Sequence, residues 1–218
     1  HSRSRRQRQM CIRDRTKPIS LDPRGGRPRE KCVTYIEGID RILNGGLPIG
    51  NIVLLAGTVG SGKTTLAMEY LINGAKNGET CCYISVTEPS SKMLSNLQTY
   101  GFFDDALVKD GRLNIFDLTV INDRLGVERL DGTYSSKDME ALLGAFEDIV
   151  DELGVTRLVI DSITAICYQL PDKGSIRNFI FRLSQFLSTF GCTTMLISET
   201  VVDSCLLYTS PSPRDRTR

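Results

Sequence analysis

Apolar residues in this chain gather into short runs separated by polar, periodic stretches. Asn51 to Ala56 is such a run, stopped by Gly57 and followed by a Gly-rich turn and an amphipathic stretch from Lys63 to Lys76 that ends near Gly78. That order predicts strand, loop, helix. Further buried strands are predicted at Cys81 to Val86, Leu113 to Leu118, Leu158 to Asp161 and Thr193 to Ser198, each compact, apolar and bounded by polar residues or Gly. Helical patterns lie between them at about 90 to 100, 137 to 153 and 175 to 190. Strands that alternate with helices predict an α/β fold with a mostly parallel sheet covered on both faces. Neither an internal repeat nor a low-complexity block interrupts the pattern.

Composition agrees with one such domain: 218 residues, 40% hydrophobic and 24% charged. No apolar run approaches the ~20 residues of a membrane span, and the N-terminus lacks the apolar stretch of a secretory signal, so a cytoplasmic location is expected. Of the 7 cysteines, Cys81 and Cys82 are adjacent in a strand pattern, Cys167 and Cys192 are solitary, and no CxxC spacing occurs. Reduced, buried thiols are therefore expected rather than a disulfide or zinc framework. His1 is the sole histidine, which leaves a Ser/His/Asp triad, a Cys/His pair or a His-ligated metal without an imidazole.

Charge is uneven along the chain. Of 27 basic and 26 acidic residues, 1–31 hold 11 and 3 and 205–218 hold 3 and 1, so 32–204 keep 13 and 22, a net of −9. So acidic a body does not attract nucleic acid in general, and DNA as a partner is not favoured. The two ends read as foreign. Residues 10–14 (Met-Cys-Ile-Arg-Asp) and 205–210 (Cys-Leu-Leu-Tyr-Thr-Ser) are translations of reverse-complementary strands: TGT CTC TTA TAC ACA TCT encodes the second, and its complement reads ATG TGT ATA AGA GAC. Residues 1–15 and 205–218 are accordingly expected to be sequencing-adapter sequence, residues 16–31 a flexible lead-in rich in Pro, Gly and Arg, and 32–204 the domain.

The strongest chemical signal is Gly57-Thr58-Val59-Gly60-Ser61-Gly62-Lys63-Thr64, followed by Thr65, which fits GxxxxGK[ST] between a predicted strand and a predicted helix. Glycines let backbone N–H groups converge on phosphate oxygens, and a helix starting near Lys63 adds its positive end. Lys63 is expected to bridge the β- and γ-phosphates of ATP, and the Thr64 hydroxyl to ligate Mg²⁺. A second metal-site group is expected at the end of a neighbouring buried strand, and Asp161 closes the run Arg157-Leu158-Val159-Ile160. Hydrolysis also needs a carboxylate to orient water; Glu88, following the Cys81 to Val86 strand, is the candidate. Ser198 and Glu199 end a further strand and are candidate γ-phosphate sensors.

These residues bring a family into view. Thr34-Tyr35-Ile36-Glu37-Gly38-Ile39-Asp40-Arg41 and then Gly45-Gly46-Leu47-Pro48-Ile49-Gly50 resemble the stretch before the P-loop in KaiC-type ATPases of the RecA superfamily, approximately TGIxGLD and GGLPxG. Arg157 to Ala165 resembles the Walker B strand of that family, and Gly191 to Glu199 the strand after it. The resemblance implies a RecA-like P-loop fold with strand order 3-2-4-5-1, Mg-ATP as cofactor, and a homo-oligomeric, hexameric ring with ATP at subunit interfaces. Two departures stand out. The family usually carries two consecutive glutamates where this chain has Thr87-Glu88, and Tyr35 replaces a usual glycine. Family members also continue through further strands after the position of Glu199, so the C-terminal strands are expected to be missing here, with Asn51 to Ala56 left as an exposed edge prone to aggregation and nucleotide binding better kept than turnover.

The function expected is an ATPase whose hydrolysis drives conformational change in a signalling or regulatory ring. A RecA/RadA-type DNA recombinase is one alternative, weakened because Ile166 to Ser175 offers only Lys173 as a basic residue. A non-hydrolysing ATP-dependent switch is the other. Lys173, Arg177 and Arg182 are expected on a solvated helix face, and Phe179, Phe181, Phe186 and Phe190 in packing.

Overall fold

In the computed structural model of the protein, residues 30–125 and 133–199 are described. The expectations for residues 1–29 and 205–218, the adapter sequence and most of the lead-in, lie outside the described residues. All elements belong to the unit that begins at Lys31.

Five parallel strands form the central sheet: β3 (Ile52–Gly57), β4 (Cys81–Ser85), β5 (Leu113–Asp117), β6 (Arg157–Asp161) and β7 (Thr193–Glu199). Their order is β3-β7-β6-β4-β5, which is the expected 3-2-4-5-1 read from the other edge. A two-stranded antiparallel pair, β1 (Lys31–Cys32) and β2 (Leu47–Pro48), precedes it. Each boundary of the five central strands falls within a residue of the run that predicted it.

Alternation along the strands divides the core in two. Cys82, Ile84, Leu158, Ile160 and Leu196 face a cluster built by the helices Leu118–Leu125, Ser136–Leu153, Ile163–Cys167 and Lys173–Phe190. Cys81, Tyr83, Leu113, Val159, Met195 and Ile197 face the other, covered by the helices Lys63–Lys76 and Ser90–Leu97 together with Leu107. All five residues of β4 are buried, as a strand covered on both faces requires. Both long helices on the first face are stopped and started by local chemistry. Ser135 and Asp138 form a reciprocal capping box at the start of Ser136–Leu153, and Gly154 closes that helix in the left-handed conformation.

Among the described residues β3 is hydrogen-bonded on one side only, to β7, and Leu54 is 42% exposed. This is the apolar edge anticipated above. Cys32, Cys81, Cys82 and Cys192 are free and buried, and Cys167 is buried as well; burial pushes the Cys81 and Cys192 thiols up to about 12, so they behave as small hydrophobes.

Six short elements escaped the hydrophobic pattern: the strands β1 and β2 and the helices Glu37–Ile42, Asp105–Lys109, Leu118–Leu125 and Ile163–Cys167. Each spans about two turns of helix or less, too little to show a period. The segment after β5 turns directly into the helix Leu118–Leu125 because Asp117, buried at the strand end, accepts from the N–H of Val120 at 3.0 Å and from that of Ser90 at 3.0 Å. One carboxylate thus starts two helices.

The helix Lys173–Phe190 departs in part from its expected faces. Phe179 and Phe186 are packed, but Phe181 is 60% exposed and Phe190 half exposed, in edge contact with Phe186. Lys173 and Arg177 are solvated, whereas Arg182 reaches across to Glu140 on the neighbouring helix. Phe179 and Phe181 lie about 200° apart around the helix, so when one packs on the core the other faces solvent.

Candidate phosphate and metal site at the carboxyl edge

Because the five strands are parallel and in register, their carboxyl ends line up. Gly57 pairs with Glu199, Asp161 with Ile197, and Ser85 with both Asp161 and Asp117. Every polar strand-end residue singled out in the sequence except Glu88 therefore belongs to one rim, and Glu88 follows three residues after Ser85.

The loop from Gly57 to Gly62 rises from β3 at this rim. Gly60 and Gly62 have φ of 77° and 81°, a region that residues with a Cβ rarely adopt. A Cβ at Gly57 would meet Ser61 Oγ at 2.7 Å, so the loop closes only over a glycine. The helix Lys63–Lys76 starts immediately after, with Gly62 as its N-cap and no side chain capping it. Its first intrahelical bond is donated by the Leu66 N–H to Gly62 O, at 2.9 Å. The N–H groups of Lys63, Thr64 and Thr65 precede it and face the positive end of the helix. An uncapped helix N-terminus behind a glycine loop is the arrangement that receives a phosphate. Lys63 Nζ lies within the loop, donating to Gly57 O at 2.9 Å and Thr58 O at 2.7 Å. Val59 at the tip is 78% exposed.

Asp161 meets this loop across the sheet. Thr64 Oγ1 donates to Asp161 Oδ2 at 2.6 Å, so the two residues assigned to the metal are in direct contact although they stand 97 residues apart in sequence. A hydroxyl and a carboxylate side by side form an oxygen donor set of the kind a hard divalent cation takes. The peptide bond from Asp161 to Ser162 is cis.

Tyr83 was missed by the motif reading. It lies on β4, in register with Val159 of β6, and its phenol donates to the same Asp161 Oδ2 at 2.8 Å. Burial first, and then the charge of Asp161, raise the phenol well above its ordinary value, with a smaller push from Glu88. The hydroxyl accordingly stays a donor to Asp161. A signal was present in the sequence: a tyrosine inside a wholly apolar run must find a partner for its hydroxyl, and the neighbouring strand ends in a carboxylate.

Glu88 is held by its backbone, whose N–H donates to Ser85 Oγ at 3.2 Å while its carbonyl accepts from that hydroxyl at 2.6 Å. Its side chain is in a partly exposed ion pair with Lys92 at 3.0 Å. Ser198 and Glu199 divide. Ser198 is buried, on the face of β7 that also carries Leu196, and its hydroxyl lies 3.0 Å from Thr164 Oγ1. The Glu199 side chain is exposed at the rim beside Gly57, and its N–H donates to Thr164 Oγ1 at 3.1 Å. Thr164, in the short helix after Asp161, thereby ties the tip of β7 to that of β6. Thr65 Oγ1 and the Tyr100 hydroxyl are 3.4 Å apart, and the Tyr100 ring stacks on Phe102.

Comparisons with known proteins agree with this architecture. The sequence model of the KaiC ATPase family matches residues 32–207. A UPF0273 protein of Thermotoga maritima is 32% identical over 176 residues, which cover 79% of this chain and 71% of that protein. The circadian clock oscillator protein KaiC of a Nostoc species is 34% identical over 171 residues, covering 78% of this chain and 32% of that protein, so the chain spans about a third of the clock protein's length. The crystal structure of a KaiC-like protein from Pyrococcus horikoshii OT3 superposes with a TM-score of 0.66 at 30% identity, covering 79% of this chain and 73% of that one. With a family model matched over most of its length, a relative 32% identical and a structural neighbour of the same kind, the chain belongs to the KaiC ATPase family of RecA-like P-loop proteins.

Proposed function

We propose that this chain binds Mg-ATP at the carboxyl edge of its sheet and hydrolyses it, as the ATPase domain of a ring-shaped homo-oligomer, hexameric as in the family it resembles. In that ring, hydrolysis drives conformational change in the service of signalling or regulation. The observation that supports the reading is the 2.6 Å contact between Thr64 Oγ1 and Asp161 Oδ2, which brings together, behind a glycine loop, the two side chains proposed for the metal.

In this reading Gly57 to Thr65 wrap the phosphates, and Lys63 leaves the carbonyls of Gly57 and Thr58 for the β- and γ-phosphate oxygens. Thr64 and Asp161 hold Mg²⁺, which supplies neutralisation of charge on those oxygens when bound. Glu88 orients the attacking water and accepts its proton, moving away from Lys92 to do so. Glu199 at the rim, with Ser198 behind it, senses the γ-phosphate through the Thr164 link.

A second reading, an ATP-dependent switch with negligible turnover, is favoured by one feature: the single carboxylate after β4 is engaged by Lys92, and Thr87 stands where a second glutamate is usual. Steady-state turnover of Glu88→Gln separates the two. The enzyme reading expects a loss of about 100-fold or more in kcat, within the range of general-base contributions, with ATP affinity kept. Unchanged turnover would put the switch in its place.

A further inference from the structure

Asp161 Oδ2 receives two hydroxyl donors, Thr64 Oγ1 at 2.6 Å and Tyr83 at 2.8 Å, and both reach the same oxygen. Thr64 already completes the link between loop and strand, so Tyr83 requires a separate account. Its ring is fully buried among Cys81, Val159 and Met195 on the face covered by the Lys63–Lys76 helix. On a parallel sheet Tyr83 lies beside Val159, and Asp161 is the next residue of β6 on that face. The phenol therefore runs along the sheet for one pleat and ends on the carboxylate at the rim. A hydroxyl that served packing alone would be dispensable at that end, since the ring fills the core without it.

We infer that Tyr83 is a positioning residue for the divalent cation: its phenol fixes the Asp161 carboxylate in one orientation through Oδ2. With Oδ2 held in this way, the Thr64 hydroxyl oxygen and the second Asp161 oxygen, which neither of these two hydroxyls engages, would be the groups offered to the cation. This rests on the reading that Thr64 and Asp161 hold Mg²⁺ beside a triphosphate. Outer hydrogen bonds of this kind cost about 10- to 100-fold in metal affinity when removed. Rotation of a carboxylate about its last bond is otherwise soft, and the metal would have to order it.

The experiment uses the full chain and Mn²⁺ as an EPR-visible probe, titrated in the presence of a non-hydrolysable ATP analogue, alongside the affinity for the same analogue in EDTA. Tyr83→Phe is expected to weaken Mn²⁺ by about 10-fold and to leave the metal-free analogue affinity at its wild-type value. Val159→Ala, which disturbs the same core without touching a hydroxyl, is expected to leave Mn²⁺ affinity unchanged. p-Aminophenylalanine at position 83 keeps a donor at the same reach and is expected to hold the wild-type Mn²⁺ affinity, so a loss as large as that of Phe overturns the inference. Unchanged Mn²⁺ affinity in Tyr83→Phe, or an equal loss in Val159→Ala, also overturns it. Asp161→Asn marks the other failure: if it leaves Mn²⁺ affinity intact, the metal site itself is wrongly placed and the inference falls with it.

Discussion

Strand β6 begins on Arg157 and ends on Asp161, and the two charges are treated in opposite ways. At the amino end Arg157 is fully buried and its donors are consumed within the chain. Nε and Nη2 bind Glu79 at 2.7 and 2.5 Å, Nη1 donates to Tyr70 O at 3.0 Å, and Nη2 to Val33 O at 2.8 Å. Its guanidinium lies over the rings of Tyr70 and Tyr35, 4.7 and 5.6 Å from their centroids. Burial alone would lower its pKa, but the Glu79 carboxylate outweighs that and holds it above the ordinary arginine value. At the carboxyl end Asp161 is only half buried, is met by hydroxyls rather than by a cation, and stands beside a helix N-terminus that no side chain caps. A charge cancelled by the chain's own groups fastens structure; a charge steadied by neutral donors stays able to act on something else. One end of the sheet is closed and the other is prepared.

If that contrast is right, the amino end should break stability and the carboxyl end should break binding. The largest effect is expected from Arg157→Ala, which strands Glu79 and frees the Val33 carbonyl. Removing one partner of a buried pair costs about 3–5 kcal/mol, and the low end is expected because Glu79 is 30% exposed; urea unfolding followed by circular dichroism measures it. Gly74→Ala comes next. Alanine should favour the helix by about 1 kcal/mol, yet its Cβ would sit 2.5 Å from Arg157 Nε, so a net destabilisation of about 1–2 kcal/mol from overpacking is expected in the same assay. A stabilised Gly74→Ala protein would show that the amino end is looser than described. At the carboxyl end Asp161→Asn is expected to change the unfolding free energy by under about 1 kcal/mol, while costing metal-dependent nucleotide affinity.

A smaller effect concerns acid. The Asp117 carboxyl is held below its ordinary range: burial opposes this, but the N–H groups of Val120 and Ser90 outweigh it. A carboxylate with a lowered folded-state pKa contributes stability that is complete above its unfolded value, about 3.9, and that is lost as pH falls through the lower folded value. The thermal midpoint of the wild type is thus expected to drop more steeply below about pH 4 than that of Asp117→Asn. Parallel slopes would remove Asp117 from the account. The smallest effect is expected at Tyr35→Gly. Tyr35 has φ of 58°, so glycine relieves about 1 kcal/mol of backbone strain and forfeits a ring contact with Arg157 of similar size.

Tyr35 also shows where reading the sequence stopped short. Its replacement of a usual glycine had no evident reason until the backbone was seen to be left-handed there and its ring to lie over Arg157. The loop Gly57 to Thr65 and Asp161 at a strand end were legible, because a glycine pattern between strand and helix and a carboxylate closing an apolar run are local statements, whereas the order of the strands was expected from the family resemblance alone. Tyr83, Thr164 and Arg157 were not, since each acts through a partner that register alone supplies: Tyr83 and Asp161 are 78 residues apart. Arg157 opens the run that Asp161 closes, and its place in the core of the opposite end depends on Glu79, Tyr70 and Val33, which only the folded chain brings to it. Phe181 failed for a different reason: two residues apart along a helix, Phe179 and Phe181 face nearly opposite ways, so the four phenylalanines could not share one packed face.

The central claim is that the carboxyl edge binds the triphosphate through Lys63. Calorimetric titration of Mg-ATP into the wild type and Lys63→Ala, with thermal melts of both, tests it directly. The account predicts binding by the wild type, a loss of about 100-fold or more in Lys63→Ala from removing charge-assisted phosphate contacts, and melting midpoints within a few degrees in the absence of nucleotide. Equal affinity in the two proteins would contradict it.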